Sequence, residues 1–175
     1  MAVTQQLARI PAEYLASCRR RADASEEGDH LWDPPSTDVL DLDWAPFLLK
    51  RVGELGGLDD LRRRALQMAL DGDTAIDLAF LATEPHAIGP FGPTPTALDA
   101  AQVARVAELL GQIDFPALLA ALPADEAEAA SLIGNNAGLI AAGGLRRYAL
   151  RHFDALRDFY GGASQRQLLV VLWWD

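Results

Sequence analysis

The stretch from Leu145 to Asp175 runs from a two-faced helix straight into an apolar strand, and this pairing limits the folds open to the chain. Apolar positions fall at Leu145, Tyr148, Ala149, His152, Phe153, Leu156, Phe159 and Tyr160, a stripe of three- and four-residue steps. Gly161-Gly162 is expected to stop that helix, and Gln167-Leu-Leu-Val-Val-Leu-Trp-Trp-Asp175 reads as a buried strand. A chain whose strongest strand lies at its end places that end in a sheet. The expected class is α+β: one predominantly helical domain over residues 1–175, packed on a small sheet that includes the N-terminal and C-terminal strands.

The rest of the chain supplies partners for that unit. Val3–Ile10 is a strand candidate, and Pro11 opens a helix at a position where its missing N–H costs nothing. Residues 23–38 form a polar, proline-containing loop with Trp32 as its one expected anchor. Val39–Asp43 leads into a helix from about Trp44 to Leu55, with Asp43 as the expected N-cap, Pro46 in the first turn and Gly56-Gly57 at the end. Asp59–Leu70 reads as a helix closed by the turn Asp71-Gly72-Asp73, whereas Thr74–Leu81 reads equally as a short helix or a strand. Pro85–Thr96 holds four prolines and two glycines in twelve residues, a composition of ordered loops. Thr96-Ala-Leu-Asp99 resembles a capping box ahead of a helix carrying Val103, Val106, Leu109 and Leu110 on one face; a short helix follows Asp114, and an alanine-rich stretch begins at Asp125.

Composition excludes several function classes. With 175 residues, half of them apolar, the chain can bury roughly two-thirds of its unfolded surface. A formal net charge of −10 argues against sequence-independent nucleic-acid binding, which needs a basic stripe to displace counterions, and against docking on anionic lipid. No apolar run approaches the ~20 residues of a membrane helix, and Met1–Ile10 is too short and polar for a signal peptide; a cytoplasmic location is expected. Cys18 is the one thiol, so no internal disulfide can form, and a small residue filling a helix face is the favoured reading. Lys50 is the only lysine among 15 basic residues, an arginine, alanine and leucine bias expected of a high-GC bacterial coding sequence.

No complete catalytic constellation is visible. Of three histidines, His152 lies on the apolar stripe and reads as a satisfied core residue, and His30 in the polar loop reads as solvated. His86 enters the proline loop beside Glu84, where a general base or ligand-orienting donor can sit. Asp41-Leu-Asp43-Trp44 puts two carboxylates and an indole at a strand-to-helix junction, the acids two residues apart and so expected on one side. No His-x₃-His, Cys-x₂-Cys or His-Glu-x-x-His spacing occurs, and Asp71-Gly72-Asp73 lacks the remaining ligands of a calcium loop, so no metal is expected. Gly134-Asn-Asn-Ala-Gly-Leu-Ile-Ala-Ala-Gly-Gly144 lacks the spacing and preceding strand of a dinucleotide loop and reads as a helix interruption; no cofactor is expected. Arg146, Arg147, Arg151 and Arg157, opposite the stripe, are expected to offset carboxylates such as Asp154 and Asp158.

Three segments, Leu40-Asp-Leu-Asp-Trp44, Glu84-Pro-His86 and Phe153-Asp-Ala-Leu-Arg-Asp-Phe-Tyr160 with its following strand, resemble the YfbM-like family of bacterial domains of unknown function. The order of elements fits as well. Relatives often carry a His a few positions after the Trp, where this chain has Ala45-Pro-Phe-Leu-Leu49. The resemblance implies a compact cytoplasmic α+β domain and offers no established activity to inherit.

The leading functional expectation is a non-enzymatic binding or interaction domain, regulatory or neutralising, that takes a basic protein partner by charge complementarity. The alternative is a small-molecule site or weak hydrolase formed by Trp32, Asp41, Asp43, Trp44, His86 and Phe91, which requires the proline loop to fold over the Asp-Trp junction. A homodimer through the aromatic C-terminus is a third expectation, because Trp173 and Trp174 point to opposite faces of a strand.

Overall fold

The fold is built on a sheet whose two middle strands come from opposite ends of the chain. In the computed structural model, which describes residues 3–175 except Asn136 and Ala142 and only the backbone of Leu139 and Ile140, β1 (Gln5–Ile10) pairs with both β2 (Val39–Asp43) and β4 (Leu169–Trp174). A short β3 (Thr96–Leu98) closes the other edge, giving the order β2-β1-β4-β3 with every pair antiparallel. Both middle strands are covered on both faces, which is why β4 reads as an unbroken apolar run.

Period-2 alternation sorts the strand side chains between two layers. Leu7, Leu98, Val170 and Leu172 face the main core, whereas Ala8, Ile10, Ala97, Leu169, Val171 and Trp173 face a smaller one. The main core is made with α2 (Ala45–Leu55), α3 (Asp60–Asp71), α4 (Ala100–Leu110), α5 (Phe115–Ala120), α6 (Glu126–Ile133) and α8 (Leu145–Gln165). Phe153 of α8 stacks on Phe115 of α5 at 4.2 Å between ring centroids. Tyr160 is fully buried there, and its hydroxyl donates to the Ala69 carbonyl at 2.9 Å, so α8 is tied to α3 without an orphaned polar group. The smaller layer is α1 (Ala12–Ala24) with Trp32, Leu78, Leu81 and Ile88.

Pro11, the helix after Asp114 and the ordered loop before β3 lie where the sequence places them. Trp32 is the expected anchor of its loop, meeting Tyr14 and Trp173 edge to face, each at 5.8 Å. Cys18 fills a buried position on α1, and burial pushes its thiol pKa up against the opposing effects of the Tyr14 hydrogen bond and the Arg21 charge. Two of the four α8 arginines meet carboxylates, Arg157 reaching Asp154 at 3.0 Å and Asp158 at 3.2 Å and Arg146 reaching Glu126 at 2.9 Å, whereas Arg147 donates to the Gly143 carbonyl and Arg151 lies over the Tyr148 ring.

Five local expectations are corrected. α8 runs straight through Gly161-Gly162, because Phe159, Tyr160 and Ala163 continue its buried stripe. The capping box sits one turn later than expected, with Asp99 as N-cap and Gln102 as its reciprocal partner, since Thr96 is in β3. Thr74–Leu81 is neither helix nor strand but irregular chain ending in a 3₁₀ turn over Ala79–Ala82. Asp43 does not cap α2; Trp44 holds that position without a side-chain bond. His30 is buried rather than solvated, 3% exposed. The segment 134–144 contains a short helix, α7 (Ala137–Ile140), while Asn136 and Ala142 within it lie outside the described residues, as do Met1 and Ala2 of the N-terminal stretch.

The candidate site at the end of the sheet

One row of cross-strand partners, Asp43, Gln5 and Trp174, ends the sheet and brings three distant segments side by side. A bulge between Gln5 and Gln6 places Asp43 opposite Gln5 but Asp41 opposite Gln6. Adjacent residues of β1 face opposite sides, so Asp41 and Asp43 do not share a face as expected. Asp43 sits in the left-handed region at φ 53°, and its N–H donates to the Asp41 carboxylate at 2.7 Å. Such a conformation is tolerated by Asp because the short polar side chain bonds locally.

Tyr148, read from the sequence only as part of the apolar stripe, holds this junction. Its hydroxyl donates to Asp43 Oδ2 at 3.0 Å and accepts from the Trp44 N–H at 3.3 Å. Burial raises the phenol pKa, and the hydrogen-bonded Asp43 carboxylate raises it further, so the group is a fixed donor at neutral pH. The next turn of α8 supports it: His152 Nδ1 donates to the Tyr148 carbonyl at 2.9 Å, since a carbonyl only accepts. His152 is therefore the satisfied core histidine that its place on the stripe implies.

Outward from this clamp, α2 presents Trp44 and Phe47, 42% and 39% exposed. Lys50 follows one turn later on the same face and is ion-paired to Asp71 at the end of α3. Asp71 in turn borders a cleft of about 170 Å³ walled by Gln5, Leu70, Thr94, Leu172 and Trp174. The proline loop forms its far side, with Gly89 pressed on the Trp174 backbone; a Cβ at Gly92 would come within 2.5 Å of the Trp174 Cβ. The loop thus folds over Trp174, across Gln5 from the Asp-Trp junction. Both C-terminal tryptophans are covered within the chain, Trp173 by Trp32 and Trp174 in part by this loop.

Of the six residues expected to form one site, five divide into two groups and Phe91 stands apart. Asp41, Asp43 and Trp44 belong to the sheet end. Trp32 and His86 lie on the α1 side with His30, whose ring centroid is 6.5 Å from that of His86. His86 meets Glu27 and Asp29, each at 4.0 Å, and not the neighbouring Glu84. The His30 Nδ1 accepts from the Trp32 N–H at 3.1 Å; burial lowers its pKa, opposed in part by the His86 backbone. Among the described residues no hydrogen bond or ion pair joins His86 to Asp43. Phe91, 68% exposed at the tip of the proline loop, lines neither group.

Sequence reasoning missed Gln5, Lys50, Asp71 and Tyr148. The signals available were a glutamine on the Leu7 side of β1, the single lysine in an arginine-rich chain, and a tyrosine at the edge of an apolar stripe. Among the described residues no group of three or more His, Cys, Asp or Glu side chains is placed to hold a metal, and no helix is long and apolar enough to cross a membrane.

Neither a curated protein nor a solved structure matches the chain. A family model described as "Domain of unknown function (DUF1877)" matches residues 63–173. The segment before residue 63 is part of the same fold, because β1 lies between β2 and β4 in the sheet. With well over half of its length matched, the chain belongs to the DUF1877 family.

Proposed function

We propose that this chain is a YfbM-like member of its family that works in the bacterial cytoplasm as a non-enzymatic binding domain for a basic protein partner, engaged at the end of the sheet. The observation that carries the reading is the pair Trp44 and Phe47, two large exposed aromatics at the start of α2, with Trp44 next to Asp43 in the chain and tied to it through the Tyr148 hydroxyl. Exposed aromatic side chains near a carboxylate supply both halves of a contact to arginine or lysine: a face for the cation and a counter-charge. Asp43's conformation and the two-sided clamp of Tyr148 fix this surface in advance, which lowers the ordering cost of binding. The net charge of −10 adds long-range attraction for a partner of opposite sign.

The test is affinity capture from the host's own extract with the wild-type protein and the Trp44→Ala/Phe47→Ala double variant. Wild type should retain a basic protein at fixed stoichiometry at low salt and release it by about 0.3 M salt, as screened charge pairs do. The double variant, folded by circular dichroism, should retain at least tenfold less. Equal retention by both proteins, or retention indifferent to salt, overturns the reading.

A further inference from the structure

We infer that the cleft beside Gln5 receives the cationic head of one basic side chain, guanidinium or ammonium, from the partner. The inference rests on the proposed basic partner and adds where its anchoring residue goes.

Among the described residues, Gln5 is the one buried polar or charged side chain besides His30 and His152, at 2% exposure. Its Nε2 donates to the Leu70 carbonyl at 2.6 Å, which fixes the amide orientation, because the flipped amide would set oxygen against oxygen. The other end, Oε1, is buried and has no hydrogen-bond partner. An unpaired buried acceptor is costly, and an apolar residue of similar size would avoid it. The acceptor is worth keeping if something delivers a donor, and Gln5 forms a wall of the cleft.

The other walls say what kind of donor fits. Asp71 is an acid at the cleft's edge, its carboxylate paired with Lys50, and Leu70, Leu172 and Trp174 bring an apolar and aromatic lining. A carboxylate and an amide oxygen repel an anion and leave a neutral apolar group without use for either, whereas a head rich in N–H donors satisfies both and rests on the indole. Size narrows the class further. At about 170 Å³ the cleft is well below the roughly 300–1,000 Å³ of whole-ligand pockets, so it takes a head group and not a complete cofactor.

Lys50 already occupies part of this role from inside the chain. It is paired to Asp71 from the α2 side, one turn from Phe47, and so links the exposed aromatics to the cleft. An incoming cation competes with Lys50 for Asp71.

That competition makes the inference testable with free probes. Butylguanidinium and butylammonium are titrated into the whole protein, followed by two-dimensional NMR of the Gln5 side-chain amide and the Trp174 indole N–H, with butanol and acetate as controls. Both cations should give saturable shifts at millimolar concentration, and the controls none. Asp71→Asn should weaken binding about tenfold, and Lys50→Met should strengthen it severalfold, a gain that a merely damaged fold does not produce. Absence of saturable shifts, equal shifts with butanol (a cleft that holds water or alkyl groups only), or weaker binding in Lys50→Met overturns it. The probes do not need Trp44 or Phe47, so the Trp44→Ala/Phe47→Ala variant should bind them like wild type. Capture of the partner with no probe binding sinks the cleft inference alone. Probe binding with no difference in capture leaves the cleft as a cation site and sinks the partner reading.

Discussion

Tyr148 joins the sheet end to α8 through one oxygen that both donates and accepts. Removing it leaves the part-buried Asp43 carboxylate and the more exposed Trp44 N–H without their partner. Tyr148→Phe should therefore cost about 1–2 kcal/mol, read as a lower urea midpoint with an unchanged slope. The same substitution has a pH signature. The folded phenol has a raised pKa, so its contribution is complete below the unfolded value of about 10 and is lost as pH rises through and above it. Tyr160, buried against Ala69, and Tyr14 are raised in the same direction, so the alkaline loss in Tyr148→Phe should shrink without vanishing. An alkaline limb identical to wild type, or a urea midpoint unmoved, would remove Tyr148 from its clamping role. Its part in the stripe is legible from spacing alone. The hydroxyl's partner is not, since Asp43 lies 105 residues away and meets it only through tertiary contact.

At the scale of elements, the two glycines inside α8 differ in what surrounds them. A Cβ at Gly161 meets nothing, whereas one at Gly162 would come within 2.5 Å of the Arg9 guanidinium. That guanidinium bonds Asp38 at 2.8 Å, and Arg166 at the end of α8 bonds the same carboxylate at 2.6 Å. Gly161→Ala should stabilise by about 0.5–1 kcal/mol, the helix-propensity gain with no clash. Gly162→Ala should give less or reverse sign, because Arg9 must shift from its partner. Equal gains at both positions would show that the Arg9–Asp38 contact bears no strain from a methyl group. Asp38 can be probed directly. Arg166 and then Arg9 hold its carboxyl below the usual range, so its contribution is present above the unfolded pKa of about 3.9 and is lost as pH falls. Asp38→Asn should cost about 1–3 kcal/mol at neutral pH and flatten the acid limb of stability. A glycine pair ordinarily ends a helix, which is why the local sequence predicts that α8 stops at Gly161. What overrides that local signal is the buried stripe continuing through Ala163, while Gly162 leaves room for the Arg9 guanidinium. The strands at the two ends were legible because β4 is apolar on both faces, while the bulge that separates Asp41 from Asp43 depends on pairing with β1 and leaves no mark on β2 itself.

At the scale of the molecule, charge should act with opposite sign on the free domain and on the complex with a basic partner proposed above. The net charge of −10 sets carboxylates against one another in the folded state. Most ion pairs that could offset this are solvent-exposed and contribute little, Arg9 with Asp38 being the most enclosed. Raising salt from about 10 mM to about 0.15 M shortens the screening length from roughly 30 Å to roughly 8 Å. Repulsion across the whole surface is then damped more than the close pairs are, so stability should rise by on the order of 1 kcal/mol. The measurement is the urea midpoint of the free protein over that range. A falling midpoint would mean that the close pairs outweigh the distributed repulsion. Capture of a basic partner should weaken over the same range, because there the screened term is an attraction. Salt that firms the domain while loosening its grip is the signature of a surface whose charge is kept for a partner and at the fold's expense; salt that shifts both in one direction would leave the acidity without that role.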